Sequence, residues 1–204
     1  MTNNTDTKKF SGHCQVCGRL QAVTAKGKLA KHGYTVEWGW FNGVCPGSDA
    51  LPFEQSKELA VTIIANVYAN IEALDAEAES LSAPAKPEAD GSWMVWVHEY
   101  QGSSRSGAKY LWRHVAVSSF RKSDDGQRVW SVNVERSRPD YRGRTTDSHD
   151  VNYDAHGSES LAITSLNARR AYAIRRTATQ QRQWIVWQEE RCAAWTVLPL
   201  PVRK

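Results

Sequence analysis

Four residues in the first quarter of the chain have the types and the spacing of a metal site: Cys14, Cys17, His32 and Cys45. Two residues separate Cys14 from Cys17, fourteen separate Cys17 from His32, and twelve separate His32 from Cys45. A Cys-x2-Cys pair presents two sulfurs from one turn, and a histidine with a third cysteine completes the four-coordinate shell of a structural zinc site. The array therefore predicts one structural Zn²⁺.

The surroundings of the thiols favour a metal over a disulfide or a redox-active Cys-x2-Cys pair. Gly18 follows the pair, where a residue that tolerates positive φ lets backbone N–H groups turn toward the sulfurs. A redox pair begins a helix that follows a strand, and no strand pattern precedes Cys14. A shell closed by four side chains leaves no position for water or substrate, so we expect a structural rather than a catalytic metal.

A second group of polar residues lies in a turn-rich segment, residues 137–157, and consists of Asp147, His149, Asp150, Asp154 and His156. Carboxylates and imidazoles bind divalent ions or move protons during phosphodiester hydrolysis, so Asp150, Asp154, His149 and His156 are weak catalytic candidates. Their spacing matches no metal motif, and a solvated loop is rich in such residues without any catalytic role.

The net charge of +4 conceals a segregation of charge along the chain. Residues 1–100 carry 8 basic and 12 acidic side chains, residues 101–145 carry 10 and 4, and residues 146–204 carry 8 and 6. This concentration of basic charge indicates a polyanionic or acidic partner, unless the arginines simply form a solvated face. The candidate partner-binding residues are Arg105, Arg113, Arg128, Arg136, Arg169, Arg170, Arg175 and Arg176.

Length and composition are those of a globular protein with a real core. The chain has 204 residues, 41% of them hydrophobic, and nine are tryptophans, of which a few could form a stacking surface. No apolar run approaches a membrane span, and the first residues have no apolar signal region, so we expect a protein of the host-cell cytoplasm that binds no membrane. Nucleotide-binding loops and hydrolase or metalloprotease motifs are absent from the sequence.

Patterns of hydrophobicity predict the elements that position these residues. After a disordered tail at 1–11, a zinc-binding module spans 12–53 and includes a short strand at 34–41. The period then becomes helical at 54–81, and a Pro-rich linker at 82–91 is the best candidate domain boundary.

The second half of the chain predicts a sheet and a long helix. Residues 92–136 contain three strand-like runs that form an antiparallel meander, with one apolar face made by Val95, Val97, Leu111, Val115, Trp130, Val132 and Val134. A polar loop at 137–157, a long helix at 158–196 and a tail at 197–204 follow. The fold class is therefore α+β, and the long helix is expected to pair with the first helix or to form a homodimer.

Two segments resemble uncharacterised small proteins encoded by bacteriophages, plasmids and integrated elements. The first runs through GHCQVCGRLQAV and LAKHGYTVEWGWFNGVCPGSDALPFE, and the second through LNARRAYAIRR and WIVWQEERCAAW. The family pattern is a CxxCG, HG and CxGS core with a long terminal helix. The resemblance implies a mobile-element setting and the metal ligands Cys14, Cys17, His32 and Cys45, but no catalytic residue.

These observations rank three functional hypotheses. The first is a non-enzymatic protein with a structural zinc that binds nucleic acid through its basic C-terminal half. The second is an effector that binds and inhibits an acidic host protein, such as a defence factor. The third is a metal-dependent hydrolase that uses the Asp/His loop.

Overall fold

The computed structural model describes residues 9–36, 40–104, 107–122, 129–140, 142–152 and 157–202. Helices and antiparallel strands are both present, which confirms the α+β class. The chain divides into two compact units: unit 1 is Met1–Ile71 with Gln181–Lys204, and unit 2 is Glu72–Gln180. The predicted boundary at 82–91 lies inside unit 2, because the division falls within the two helices rather than in the loop between them.

Unit 1 contains two small antiparallel hairpins. Strand β1 (Ser11–His13) pairs with β2 (Leu20–Ala22), and β3 (Gly33–Val36) pairs with β4 (Trp40–Val44). The prediction of a single strand at 34–41 is wrong, because β3 ends at Val36 and β4, which begins at Trp40, is antiparallel to it; residues 37–39 lie outside the described part of the chain. Gly33 and Gly43 lie at the same end of this pair and suit the close approach of two strands.

The two predicted tails are partly ordered. Residues 1–8 lie outside the described part of the chain, but Phe10 forms an isolated bridge with Val202 and Ser11 begins β1. The Ser11 N–H donates a hydrogen bond to the Pro201 carbonyl at 2.9 Å. The prediction of disorder is therefore wrong for Phe10 and Ser11, because their backbone groups are paired.

Helix α1 (Glu58–Ser80) confirms the helix predicted at 54–81, although it begins four residues later. Glu54 stays outside the helix because its buried carboxylate accepts hydrogen bonds from the His13 N–H and is paired with the His13 ring. By length and composition α1 is the one described helix that could cross a membrane, and few of its residues are buried. Core helices of soluble proteins can have the same length and composition, so the cytoplasmic location stays a prediction.

Unit 2 is built on a four-stranded antiparallel sheet. Its strands are β5 (Met94–Ser104), β6 (Gly107–Lys122), β7 (Val129–Glu135) and β8 (Thr146–Asn152), in the order β5-β6-β7-β8. The meander thus has a fourth strand that lies in the predicted polar loop, 137–157. The sequence did not predict β8 as a strand, because its side chains are mostly polar and Val151 is the one buried apolar residue that it adds to the core.

One face of this sheet is covered by the first turns of helix α2 (Glu159–Ala193), which confirms the long helix predicted at 158–196. The buried core joins Val95, Val97, Val132, Val134 and Val151 of the sheet to Ala162, Ile163 and Leu166 of the helix. The predicted apolar face is wrong at Leu111, because 58% of the surface of this residue is exposed. The sheet can therefore present its opposite face to solvent.

Within unit 2, the last turns of α1 pack on the middle of α2. Ala78, Ala171 and Ile174 are buried there, with Leu74 and Leu81 beside them. The predicted linker at 82–91 is held to α2, because Ala85 accepts a hydrogen bond from Ser160 and donates one to Thr164. The expected pairing of the two helices is therefore present within one chain.

Candidate functional site

The four predicted ligands converge in unit 1. Their ligand atoms all lie within 4.8 Å of one another, and this is the one His/Cys/Asp/Glu group of metal-binding size among the described residues. Cys14 Sγ and Cys45 Sγ are 3.8 Å apart, and Cys17 Sγ and His32 Nε2 are 3.6 Å apart. Two sulfurs bonded tetrahedrally to one zinc at about 2.3 Å stand about 3.8 Å apart. The arrangement is compatible with a zinc site.

Hydrogen bonds orient the ligands toward a shared centre. His32 Nδ1 donates to the Ala30 carbonyl at 2.9 Å, which leaves the lone pair of Nε2 free to face the sulfurs. The backbone N–H groups of Val16 and Cys17 point at Cys14 Sγ, at 3.3 and 3.5 Å. A Cβ atom on Gly47 would lie 2.2 Å from Cys14 Sγ, so the second turn also needs a glycine.

Distances and pKa values argue against the two other uses of these thiols. The 3.8 Å between the sulfurs of Cys14 and Cys45 is far longer than the bond of about 2.05 Å in a disulfide, and the four cysteines are free. Burial raises the pKa of Cys45 to about 12 and raises that of Cys14 above its ordinary value. Reactive cysteines have lowered pKa values, so a redox role is disfavoured.

The end of α2 holds the first turn of the metal site, a contact that the sequence did not predict. Gln188 is completely buried, and its side-chain amide donates to the carbonyls of Gln15 and Val16 at 3.0 and 2.7 Å. Arg191 hydrogen-bonds the Cys14 carbonyl and stacks between the rings of Phe53 and Trp187. The available sequence signal was a glutamine next to Trp187, near the end of the predicted helix.

The Asp/His group does not form a common site. Neighbouring residues of a strand point to opposite faces, so Asp147 and His149 lie on the covered side of β8 and Asp150 on the other, where it accepts a hydrogen bond from Ser131. Asp154 and His156 lie outside the described residues. Among the described members, His149 Nε2 lies 3.6 Å from Asp147 Oδ2, but Asp147 is bound to Arg136 and Asp150 lies on the other face, so the described candidates His149 and Asp150 do not share a site.

His149 predicts a measurable dependence of stability on pH. Burial lowers the pKa of His149, and Arg169 and Arg136 lower it further against the opposing effects of Asp147 and Asp150. The unfolded chain therefore takes up a proton that the folded chain resists, and stability falls as the pH drops below about 6.5.

We expect His149→Asn to remove this part of the pH dependence, which for one proton is at most about 1.4 kcal/mol per pH unit. Urea unfolding at about pH 7 and about pH 5 measures it. An equal loss of stability in the wild type and the variant would contradict the assignment.

Two of the four arginines predicted to meet phosphates on the sheet are paired within the protein. Arg113 binds the buried carboxylate of Glu99 at 2.9 Å, and Arg136 binds Asp147 at 2.7 Å. Burial alone would raise the pKa of Glu99, but hydrogen bonds from Ser137 and Arg113 hold it below its ordinary value. Arg105 and Arg128 lie outside the described residues.

The arginines predicted on the helix divide into two pairs. Arg170 binds Glu77 at 3.2 Å, and Arg175 donates to Ser82 at 2.8 Å, so both help to join α2 to the end of α1. Arg169 and Arg176 are exposed. A continuous phosphate-binding row along α2 therefore loses two of its four predicted members to internal contacts.

The side of the β5–β6 hairpin opposite the buried valines carries aromatic rings that are exposed or half-buried, and we call this surface the aromatic face. It consists of Trp96, His98, Tyr100, Tyr110, Trp112 and His114. Cross-strand register pairs these rings one to one: Trp96 and His114 stack at 4.9 Å, His98 and Trp112 stack at 4.7 Å, and Tyr100 faces Tyr110 at 5.4 Å. Alternation of aromatic residues with valines along β5 was the sequence signal for this face.

One end of the aromatic face is closed by a cation and the other is open. The guanidinium of Arg170 lies 5.1 Å from the ring centre of Trp96 and 5.6 Å from that of Trp112. At the opposite end, Tyr100 and Tyr110 each keep 51% of their surface exposed. His98 and His114 are also exposed. The rings thus form a row that solvent reaches from one side.

A cavity of about 540 Å³ adjoins the open end, and we call it the arginine cavity. Its lining consists of Glu99, Tyr100, Gln101, Gly102, Arg136, Arg138, Pro139, Asp140 and Arg144. Tyr100 belongs to both the cavity and the aromatic face. The carboxylate of Asp140 accepts hydrogen bonds from Arg144 and Arg142, which lower its pKa to about 2. The cavity therefore combines three arginines with carboxylates that are already hydrogen-bonded.

Comparison with known proteins provides no relative for this chain. No protein-family model, no curated protein and no solved structure matches it significantly.

Proposed function

We propose that this is a non-enzymatic, zinc-stabilised protein that binds nucleic acid through the aromatic face. The observation that carries the proposal is the stacked row of six rings on the uncovered side of β5 and β6. Every nucleobase has a flat π-surface, and exposed aromatic side chains on a sheet bind such surfaces by stacking. Tyr100 and Tyr110, each with 51% of its surface exposed, leave ring surface for a partner to cover, while Trp96 and Trp112 are half-buried beside Arg170.

Charge supports the same kind of partner. The segment 94–122, which forms the hairpin, contains five Lys or Arg residues and one acidic residue, Glu99. Glu99 is buried and bound to Arg113, so it does not offset the charge of the solvent-facing residues. A basic hairpin that presents aromatic rings combines the two features by which proteins hold the backbone and the bases of a nucleic acid.

The zinc has a structural part in this proposal. Three cysteines and one histidine complete a tetrahedral shell, and both turns that supply the cysteines approach the sulfurs closely. A shell of four protein ligands supplies folding free energy rather than an open position for chemistry. The metal site would therefore stabilise unit 1 while the aromatic face of unit 2 binds the ligand.

Replacing Trp112 tests the aromatic face directly. We expect Trp112→Ala to weaken nucleic-acid binding by about 1–3 kcal/mol, or roughly fivefold to 150-fold in Kd, because one stacking platform is lost. Fluorescence anisotropy with labelled oligonucleotides measures the affinity over a series of salt concentrations. Wild-type affinity should fall steeply with added salt, because phosphate contacts release counterions.

Tyr172→Ala is the matched control. Tyr172 lies on α2 within unit 2, and 70% of its surface is exposed, but it makes no ring contact with the aromatic face in the described residues. Its removal should leave the affinity unchanged. Equal affinities of the Trp112→Ala variant and the wild type, with both variants folded, would refute the proposed surface.

A further inference from the structure

The arginine cavity has more hydrogen-bond donors than acceptors to receive them. Glu99 accepts from Arg113, Ser137 and Gln101, and Asp140 accepts from two backbone N–H groups and from the Arg144 side chain. These carboxylates have therefore most of their oxygen lone pairs occupied. A phosphate or carboxylate group that enters the cavity would not compete with Glu99 and Asp140 for hydrogen-bond donors.

The unmatched donors belong to two arginines of the lining. Arg136 Nε is buried and has no hydrogen-bond partner in the part of the chain that the structure describes, although the same guanidinium binds Asp147 at 2.7 Å. Arg138 is exposed and makes no ion pair with any described residue. A guanidinium carries five N–H donors in a planar fork that suits the oxygens of a phosphate.

The position of the cavity ties it to the row of rings. Tyr100 lines the cavity and also contacts Tyr110, and these two residues are the last ring pair of the aromatic face. The phosphate of a nucleotide whose base stacks on Tyr100 or Tyr110 stays close to these rings, because the sugar joins it covalently to the base. The cavity, at about 540 Å³, has room for a phosphate with its sugar.

We infer that the arginine cavity binds a phosphate group of a single-stranded nucleic acid whose bases stack along the aromatic face. This inference rests on the proposed function and names its ligand class. Bases in a duplex are covered by their neighbours, whereas a single strand can turn its bases onto the rings. The phosphate is either an internal one of the backbone or a terminal one, and both present the same oxygens to Arg136 and Arg138.

Arg138→Gln tests the cavity, with Lys86→Gln as the control for charge. Lys86 is an exposed residue of unit 2 that does not line the cavity. The probes are single-stranded DNA and RNA of about ten nucleotides, each with a free end, a 5′-phosphate or a 3′-phosphate, and a duplex of the same sequence. We expect the single strands to bind more tightly than the duplex. Arg138→Gln should weaken single-strand binding about tenfold and lower the slope of log K against log salt by about 1, whereas Lys86→Gln should match the wild type.

The arms of the experiment separate the possible outcomes. A preference for one phosphorylated end that disappears in Arg138→Gln assigns the cavity to a terminal phosphate, and an equal loss for all single strands assigns it to the backbone. Either result supports the inference. If the Arg138→Gln and Lys86→Gln variants bind with equal affinity and equal salt slope, the phosphate site in the arginine cavity is refuted. The Trp112→Ala variant would still test the proposed function independently. A duplex that binds as tightly as the single strands would overturn the ligand class, and wild-type protein that binds no oligonucleotide would overturn the proposed function itself.

Discussion

Cys45→Ser is expected to abolish zinc binding and to unfold unit 1. Around the site, the buried cluster consists of Cys14, Leu29 and Cys45, so two of its three members are themselves predicted ligands. Structural zinc contributes about 10–16 kcal/mol of apparent binding free energy in small zinc modules, whereas whole domains are stable by about 5–15 kcal/mol. The apolar residues around the site cannot replace a contribution of that size.

Elemental analysis and urea unfolding measure this effect together. The wild type should contain about one zinc per chain, and chelation should reproduce the loss of structure seen in the variant. Cys192→Ala is the matched control, because Cys192 is a buried cysteine of unit 1 that lies outside the ligand group. It should retain the zinc. A wild-type protein that stays folded in a chelator would show that the site is not structural.

Gln188→Leu is expected to destabilise unit 1 by roughly 2–6 kcal/mol, the second-largest effect, since it leaves one buried and one partly buried carbonyl group without a donor at about 1–3 kcal/mol each. These carbonyls belong to Gln15 and Val16, in the turn that holds the first two cysteines. The variant also takes away the acceptor of Arg191, which hydrogen-bonds the Gln188 side chain at 2.8 Å. Leucine has nearly the same volume, so the loss comes from hydrogen bonding rather than from a cavity.

The control for this variant is Gln183→Leu, the same substitution at an exposed position of α2. Urea unfolding followed by tryptophan fluorescence includes unit 1 in its signal, because Trp187 lies over Gly18 and the Arg191 guanidinium, and the tryptophans of unit 2 contribute as well. Gln183→Leu should change stability by less than about 0.5 kcal/mol. Equal midpoints for the two variants would mean that the buried amide contributes nothing to the metal turn.

Features that depend on nearby residues were predictable from the sequence. The ligand set follows from the Cys-x2-Cys spacing, and both helices follow from a period of 3.6 residues over more than twenty positions. Strands β5, β6 and β7 follow from alternation, and the valines of their covered face are buried as expected. In each case one short window of sequence contains the whole signal.

Features that depend on distant partners were not predictable in this way. Strand β8 resembles a polar loop in the sequence because its side chains are mostly polar. The partners of its carboxylates, Arg136 for Asp147 and Ser131 for Asp150, are visible only in the fold. Arg170 reads as a free cation because Glu77 lies 93 positions away in the sequence. Ion pairs of this kind are visible only in the fold, so the sequence alone could not show that Arg113, Arg136 and Arg170 have partners within the protein.

The aromatic face lies between these two cases. The rings themselves are visible in the sequence, but their stacking depends on the register that places Trp96 opposite His114 and His98 opposite Trp112. A shift of one residue would move the rings of one strand to the covered side, among the valines. Register is set by the turn and by the buried face together, which neither strand encodes alone.

Photochemical cross-linking of a single-stranded oligonucleotide to the protein, mapped by mass spectrometry, tests most directly whether the aromatic face is the binding surface. Aromatic rings stacked on bases form covalent adducts under ultraviolet light, and the adducted peptides identify the surface. We expect adducts on the strands that carry Trp96, Tyr100, Tyr110 and Trp112. Adducts confined to Trp187 and Trp195, near the metal site, would contradict the assignment of nucleic-acid binding to this face.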